Sequence, residues 1–151
     1  MELVFKVSFL ILASFFTGVV IFLSTVLRKT FNALTEEEYY SVYSEIIVLG
    51  RKSIFISLIV LIPVLLFLAY LICGFRNLFF IIGALLYILG SFVTSRLINE
   101  PAYTQLLQMD IKDQAEIIKV RVLLNKGNIS RAILSLLGIL LIGVSIYYSS
   151  F

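Results

Sequence analysis

Residues 54–74 read IFISLIVLIPVLLFLAYLICG, and none of these side chains carries a charge. An α-helix rises about 1.5 Å per residue, so a helix of this length spans the roughly 30 Å hydrocarbon core of a bilayer. Three other stretches are comparably apolar, namely residues 7–27, 78–95 and 133–148. None of the four shows the strict alternation that is typical of a half-buried strand. The sequence therefore predicts an all-α fold in which four transmembrane helices form a bundle.

The composition excludes soluble and disulfide-stabilised classes of protein. Of the 151 residues, 61% are hydrophobic and 14% are charged, and the mean hydropathy is +1.09. Ordinary soluble domains have about 45–50% apolar and about 25% charged residues. The chain has no histidine and a single cysteine, Cys73, which excludes histidine-based catalysis, histidine-ligated metals and internal disulfides. We predict one integral membrane domain over residues 1–151, with no cofactor and no metal.

The basic residues predict how the chain is oriented. Ten of the twelve Lys and Arg residues fall in two connectors, residues 28–52 and 96–131. Because Lys and Arg concentrate in cytoplasmic loops, we expect both connectors in the cytoplasm and both termini outside the cell (inner) membrane. Aromatic residues such as Phe75, Tyr147 and Phe151 fall near the predicted outer interface, where such rings anchor. The net charge of +3 is thus attributed to topology and lipid contact, and no nucleic-acid partner is expected.

Each connector contains a predicted amphipathic helix. Thr35 and Glu38 have the spacing of a capping box, in which a hydroxyl and a carboxylate bind the free N–H groups at a helix start. They predict a helix over residues 36–49. In the other connector, Asp113 predicts a helix start and Gly127 its end. Pro101 predicts that the helix leaving the third span stops near residue 100, because the residue before a proline disfavours helical geometry.

Cationic and amide side chains collect where the spans meet the predicted cytoplasmic face. A helix continuous through Gly127 would carry the polar residues of the last connector on one side, whereas a break there would make Asn128 a helix cap. These groups, together with Glu100, predict a polar pocket for an anionic or phenolate-like molecule. The predicted ligand-binding residues are Arg28, Arg96, Asn99, Arg121, Asn125, Asn128 and Arg131. The alternative interpretation is structural, since Arg snorkels at helix ends and Asn caps helices.

The order of these polar features resembles that of the anthrone-oxygenase-like family of small four-span membrane proteins. The resemblance lies in Thr17-Gly18 within the first span, Asn99-Glu100-Pro101 after the third, and Asn128 to Arg131 at the start of the fourth. It implies a four-helix membrane fold. For the activity, it implies cofactor-independent oxidation of an electron-rich polycyclic phenol, with cationic groups stabilising an enolate and Glu100 as the candidate base.

The sequence is compatible with two functions, and it does not decide whether the protein is an enzyme. The first is binding of a small hydrophobic or aromatic ligand at the polar pocket. The second is a non-enzymatic accessory or structural subunit of a larger membrane complex, with Tyr39, Tyr40 and Tyr43 exposed on the first connector helix. The expected partners are the lipid bilayer, the ligand, and a membrane protein or a second copy of the chain.

Overall fold

The structure, a computed structural model, describes residues 1–149, and the predicted interfacial residue Phe151 lies outside them. Within this range the chain forms five helices and no strand. They are α1 (Glu2–Asn32), α2 (Glu36–Lys52), α3 (Ile54–Ile72), α4 (Leu78–Gln108) and α5 (Gln114–Ser149). All except α2 are long and apolar enough to cross a membrane. The predicted all-α fold with four apolar spans is confirmed, as expected for an integral membrane protein.

Helix α4 continues past Pro101, contrary to the predicted stop. Two π-helical turns, Leu89–Val93 and Ser95–Asn99, interrupt the α-helical hydrogen bonding of α4 without ending the helix. An α-helical segment, Glu100–Gln108, follows directly, and Pro101 lies in its first turn. Proline is tolerated in a first turn because its missing N–H would have no α-helical partner there.

Helix α5 continues through Gly127, so the predicted end at that glycine is also wrong. The structure shows why the residue is a glycine. A Cβ atom at Gly127 would lie 2.3 Å from Oδ1 of Asn99 on α4. Further along the same interface, a Cβ atom at Gly138 would lie 2.6 Å from the carbonyl oxygen of Gly83. Small residues let two helix backbones approach closely, and here they serve packing between α4 and α5.

Helix α2 begins where the capping box predicts. The Glu38 N–H donates to Thr35 Oγ1 at 3.4 Å, and the Thr35 N–H donates to Glu38 Oε2 at 2.9 Å. The predicted exposure of two tyrosines on this helix is wrong, because Tyr39 and Tyr43 are buried in the core beneath it. Tyr40 is half-buried, and its hydroxyl donates to a main-chain carbonyl oxygen. The inward face of α2 therefore belongs to the protein core.

The helices enclose two adjoining cores. Helix α3 packs on α1, α1 packs on α5, and α5 packs on α4. Helices α3 and α4 meet near the tight turn at Gly74 (φ +80°), where the Tyr70 and Phe80 rings lie 4.2 Å apart. One core lies along the four apolar helices and the second lies beneath α2. We call the α2 end of the molecule the connector end and the end with the α3–α4 turn the hairpin end.

Candidate functional site

Two asparagines meet where the two cores adjoin. Asn99 Nδ2 donates to Asn128 Oδ1 at 2.8 Å, and both side chains are buried. Asn99 closes the second π-helical turn of α4, a type of distortion that occurs frequently at functional sites. Gly127 leaves room for the Asn99 carboxamide against α5. A buried polar contact therefore joins α4 to α5 at the connector end.

Arg131 adds a positive charge to this pair. Its Nη1 donates to Asn128 Oδ1 at 3.2 Å, and its guanidinium carbon lies 5.3 Å from the centre of the Phe16 ring. The residue is only 7% exposed, and its Nε has no hydrogen-bond partner. Within residues 1–149, Arg131 forms no ion pair with a carboxylate. A buried cation in this state lacks the compensation that such groups ordinarily have.

Two tyrosine hydroxyls complete the group. Asn128 Nδ2 donates to Tyr43 Oη at 3.4 Å, and Asn99 Nδ2 donates also to Tyr103 Oη at 3.2 Å. Burial raises the pKa of the Tyr43 hydroxyl above its ordinary value. We call Asn99, Asn128, Arg131, Tyr43 and Tyr103 the amide–arginine cluster. Neither tyrosine is among the residues predicted for the site. The helical spacing of Tyr39, Tyr43 and Ile47 was a usable signal that Tyr43 lies on the inward face of α2.

Arg121 and Asn125 lie on α5 as well, but they bind the link between α1 and α2. Arg121 donates from Nη1 to the Leu34 carbonyl and from Nη2 to the Thr35 carbonyl, each at 3.3 Å. Asn125 Nδ2 donates to Asn32 Oδ1 at 3.0 Å. These bonds use Nη1 and Nη2 of Arg121 and Nδ2 of Asn125 to hold the end of α1, where a cation also suits the helix dipole, and they leave Arg121 Nε without a hydrogen-bond partner in the described residues.

Arg96 and Glu100 face away from the cluster. Arg96 is exposed, with its guanidinium carbon 5.7 Å from the ring centre of Phe92 on its own helix. Glu100 Oε2 forms an ion pair with Arg51 Nη2 at 2.7 Å, which ties α4 to the end of α2. Both line a surface hollow of about 560 Å³ that contains no residue of the cluster. The structure thus does not bring the predicted base to the predicted ligand site.

Arg28 lies in a groove between α1 and α5. The groove has a volume of about 340 Å³, and none of the cluster residues lines it. Arg28 is half-buried and has no hydrogen bond or ion pair within the described part of the chain. The lining residues are Ile21, Ser24, Thr25, Arg28, Ile129, Ala132, Ile133 and Leu136.

Comparison with known proteins identifies no relative of this chain. No protein-family model, no curated protein and no solved structure matches this chain. Of the predicted residues, the structure brings together Asn99, Asn128 and Arg131, and it separates the others into a structural link, an exposed face and a groove.

A second polar group, at the hairpin end, was missed by the sequence analysis. Lys6 is fully buried and forms an ion pair with Glu2 Oε1 at 2.8 Å. Tyr70 donates to the same oxygen at 2.7 Å and accepts a hydrogen bond from the Asn77 N–H at 3.1 Å. The spacing of four residues between Glu2 and Lys6 was the available signal. Tyr70 on α3 and Asn77 in the following turn give no such signal, because they are distant in sequence from Glu2 and Lys6.

Proposed function

We propose that the protein binds a small hydrophobic or aromatic molecule with an anionic or phenolate oxygen at the amide–arginine cluster. One observation carries this proposal. Arg131 is 7% exposed, donates to a neutral amide, and pairs with no carboxylate in residues 1–149. Leaving a buried charge without its partner costs about 3–5 kcal/mol. A bound anion would supply the missing charge.

The surroundings of Arg131 favour an apolar or aromatic body on the ligand. The Phe16 ring lies beside the guanidinium group. The tyrosines Tyr43 and Tyr103 lie against the side-chain amides of Asn128 and Asn99. The resemblance to anthrone-oxygenase-like proteins suggests a polycyclic phenol as the ligand class. Because Glu100 is paired with Arg51, we assign binding to the cluster and no proton transfer.

We propose further that the connector end faces the cytoplasm and that the protein resides in the cell membrane. The support is the concentration of ten of the twelve basic residues in the two connectors. In this orientation the cluster lies at the depth of the inner leaflet.

The proposal is tested with naphthalene-2-sulfonate as the anionic probe and naphthalene-2-methanol as its uncharged counterpart. Binding to the purified protein in detergent is followed by probe fluorescence, and the chain contributes no tryptophan signal. Arg131→Gln should weaken sulfonate binding at least about tenfold, since charge-assisted hydrogen bonds contribute about 1.5–3 kcal/mol. The matched control is Arg76→Gln at the hairpin end, which should leave binding unchanged. Equal losses in the two variants would contradict the proposal.

Asn128→Asp supplies the second arm of the same experiment. The new carboxylate would lie beside Arg131 Nη1, where the amide oxygen now accepts at 3.2 Å. It should therefore raise the melting temperature of the free protein while abolishing binding of the sulfonate. Asn77→Asp, which keeps a helix-capping oxygen at the hairpin end, is the control and should do neither. A stabilised Asn128→Asp protein that still binds the sulfonate would contradict the proposal.

The second candidate function, an accessory subunit of a larger membrane complex, has a different basis from the one predicted. On the outward face of α2, Val42, Ile46 and Leu49 are 42%, 40% and 60% exposed. Helical spacing places them on one stripe, outside the four apolar spans. Purification in mild detergent tests this candidate. A single stable species with the mass of one chain would count against it.

A further inference from the structure

The groove between α1 and α5 lies beside the amide–arginine cluster without sharing a residue with it. Most of its wall is apolar, with side chains such as Ile21, Ala132 and Leu136. Arg28 is the single charged residue in that lining. The groove therefore combines a cationic end with an apolar wall, a combination that suits an amphiphile.

The position of Arg28 fits the depth of a lipid headgroup. Residues 7–27 carry no charge, and Arg28 is the first basic residue after them. Beyond it, Asn125 Nδ2 donates to Asn32 Oδ1 across the two helices, which closes the groove at the connector end. The Thr25 hydroxyl donates to the Ile21 carbonyl oxygen at 2.6 Å. The guanidinium group of Arg28, in contrast, has no protein partner within residues 1–149 and is available to a ligand in the groove.

We propose that this groove holds one anionic phospholipid, with its phosphate on Arg28 and one acyl chain along the apolar wall. A guanidinium group binds phosphate through two parallel hydrogen bonds, and basic pockets between membrane-spanning helices take anionic headgroups. The side of the groove is open, since Ile133 in its lining is 54% exposed. A lipid therefore enters sideways from the bilayer. A soluble phosphate compound would leave the apolar wall uncovered.

The test is titration of the detergent-purified protein with phosphatidylglycerol and with phosphatidylcholine of the same acyl chains, read by native mass spectrometry. One phosphatidylglycerol should bind, at least about tenfold more tightly than phosphatidylcholine. Arg28→Gln should weaken phosphatidylglycerol binding at least about tenfold, through loss of the charge-assisted hydrogen bonds. Lys29→Gln removes the same charge one residue later, at an exposed side chain outside the groove lining, and should weaken binding less than twofold.

A second pair of variants tests the groove without changing its charge. Ile133→Trp fills the groove and should reduce binding as Arg28→Gln does, whereas Leu137→Trp, also exposed but outside the lining, should not. Three results would overturn the proposal. They are equal loss in Arg28→Gln and Lys29→Gln, equal affinity for the two lipids, and displacement of phosphatidylglycerol by an equal concentration of glycerol 3-phosphate. The last result would assign the site to a soluble phosphate compound.

Discussion

At the scale of single residues, Gly127 shows how strongly one position depends on a distant one. A glycine inside a helix usually costs about 0.5–1 kcal/mol relative to alanine. Here the missing side chain admits the carboxamide of Asn99, whose Nδ2 is already bonded to Asn128 and Tyr103. The amide has little freedom to move away. The glycine therefore serves the cluster, even though its place in the sequence predicts a helix end.

Replacing Gly127 by alanine should destabilise the protein by about 1–3 kcal/mol, the usual cost of overpacking a core. The added methyl group would meet Asn99 Oδ1 and force the buried amide out of its hydrogen bonds. Thermal unfolding in detergent measures the effect. Gly143→Ala on the same helix is the matched control, since a Cβ atom there meets no atom within 4 Å. It should be neutral or slightly stabilising, and equal behaviour of the two variants would contradict this explanation.

The grouping of Asn99, Asn128 and Arg131 was predictable by residue type more than by position. Asn99, Asn128 and Arg131 were identified because amide and guanidinium groups at the ends of apolar helices need partners. Arg96, three residues before Asn99, was grouped with them and proves to be exposed. The reason lies in the π-helical turns of α4, which change the direction that each side chain takes. A sequence has no simple pattern for such turns.

At the scale of the element, the start of α2 was predictable, whereas the continuation of α4 past Pro101 and of α5 past Gly127 was not. The start of α2 at Glu36 follows from Thr35 and Glu38, whose capping bonds form within four residues. The expected ends at Pro101 and Gly127 depended on local propensity alone. In the folded chain, the π-helical turn before Pro101 and the close approach of Asn99 to Gly127 override that propensity. The first reason is a local distortion that has no simple sequence pattern, and the second is a tertiary contact with a distant segment.

The capping box of α2 should give the stability of the protein a specific pH dependence. Hydrogen bonds from the Thr35 N–H and hydroxyl hold the pKa of Glu38 below its ordinary value near 4.5. A lowered pKa in the folded state stabilises the fold above the unfolded pKa, and this contribution is lost as the pH falls through the folded value. Glu38→Gln should therefore lower the melting temperature at pH 7, and the difference from wild type should shrink towards pH 3.

The control for the pH experiment is Glu37→Gln, which changes an exposed carboxylate in the same helical turn but no capping bond. Its effect on the melting temperature should depend less on pH than that of Glu38→Gln. A Glu38→Gln difference that stays constant between pH 3 and pH 7 would show that the capping carboxylate does not stabilise the fold.

At the scale of the whole molecule, four apolar helices were predictable from composition and length, because a bilayer core sets both. Their arrangement was not. In the structure, α3 packs on α1 and α4 packs on α5, and α3 and α4 meet at the turn between them. One polar contact that helps to hold this arrangement is the hydrogen bond from the Tyr70 hydroxyl on α3 to Glu2 Oε1 on α1, at the hairpin end. These two residues are far apart in the sequence.

In the proposed topology, the chain crosses the membrane four times and its connector end lies in the cytoplasm. Side-specific labelling with a membrane-impermeant maleimide in intact cells tests this directly. Cys73, the single cysteine of the sequence, is exposed at the α3–α4 turn and should react from outside. In a Cys73→Ser background, Glu37→Cys and Lys112→Cys, one in each connector, should react only after the cells are permeabilised. Labelling of either connector cysteine in intact cells, or protection of Cys73 there, would contradict the account.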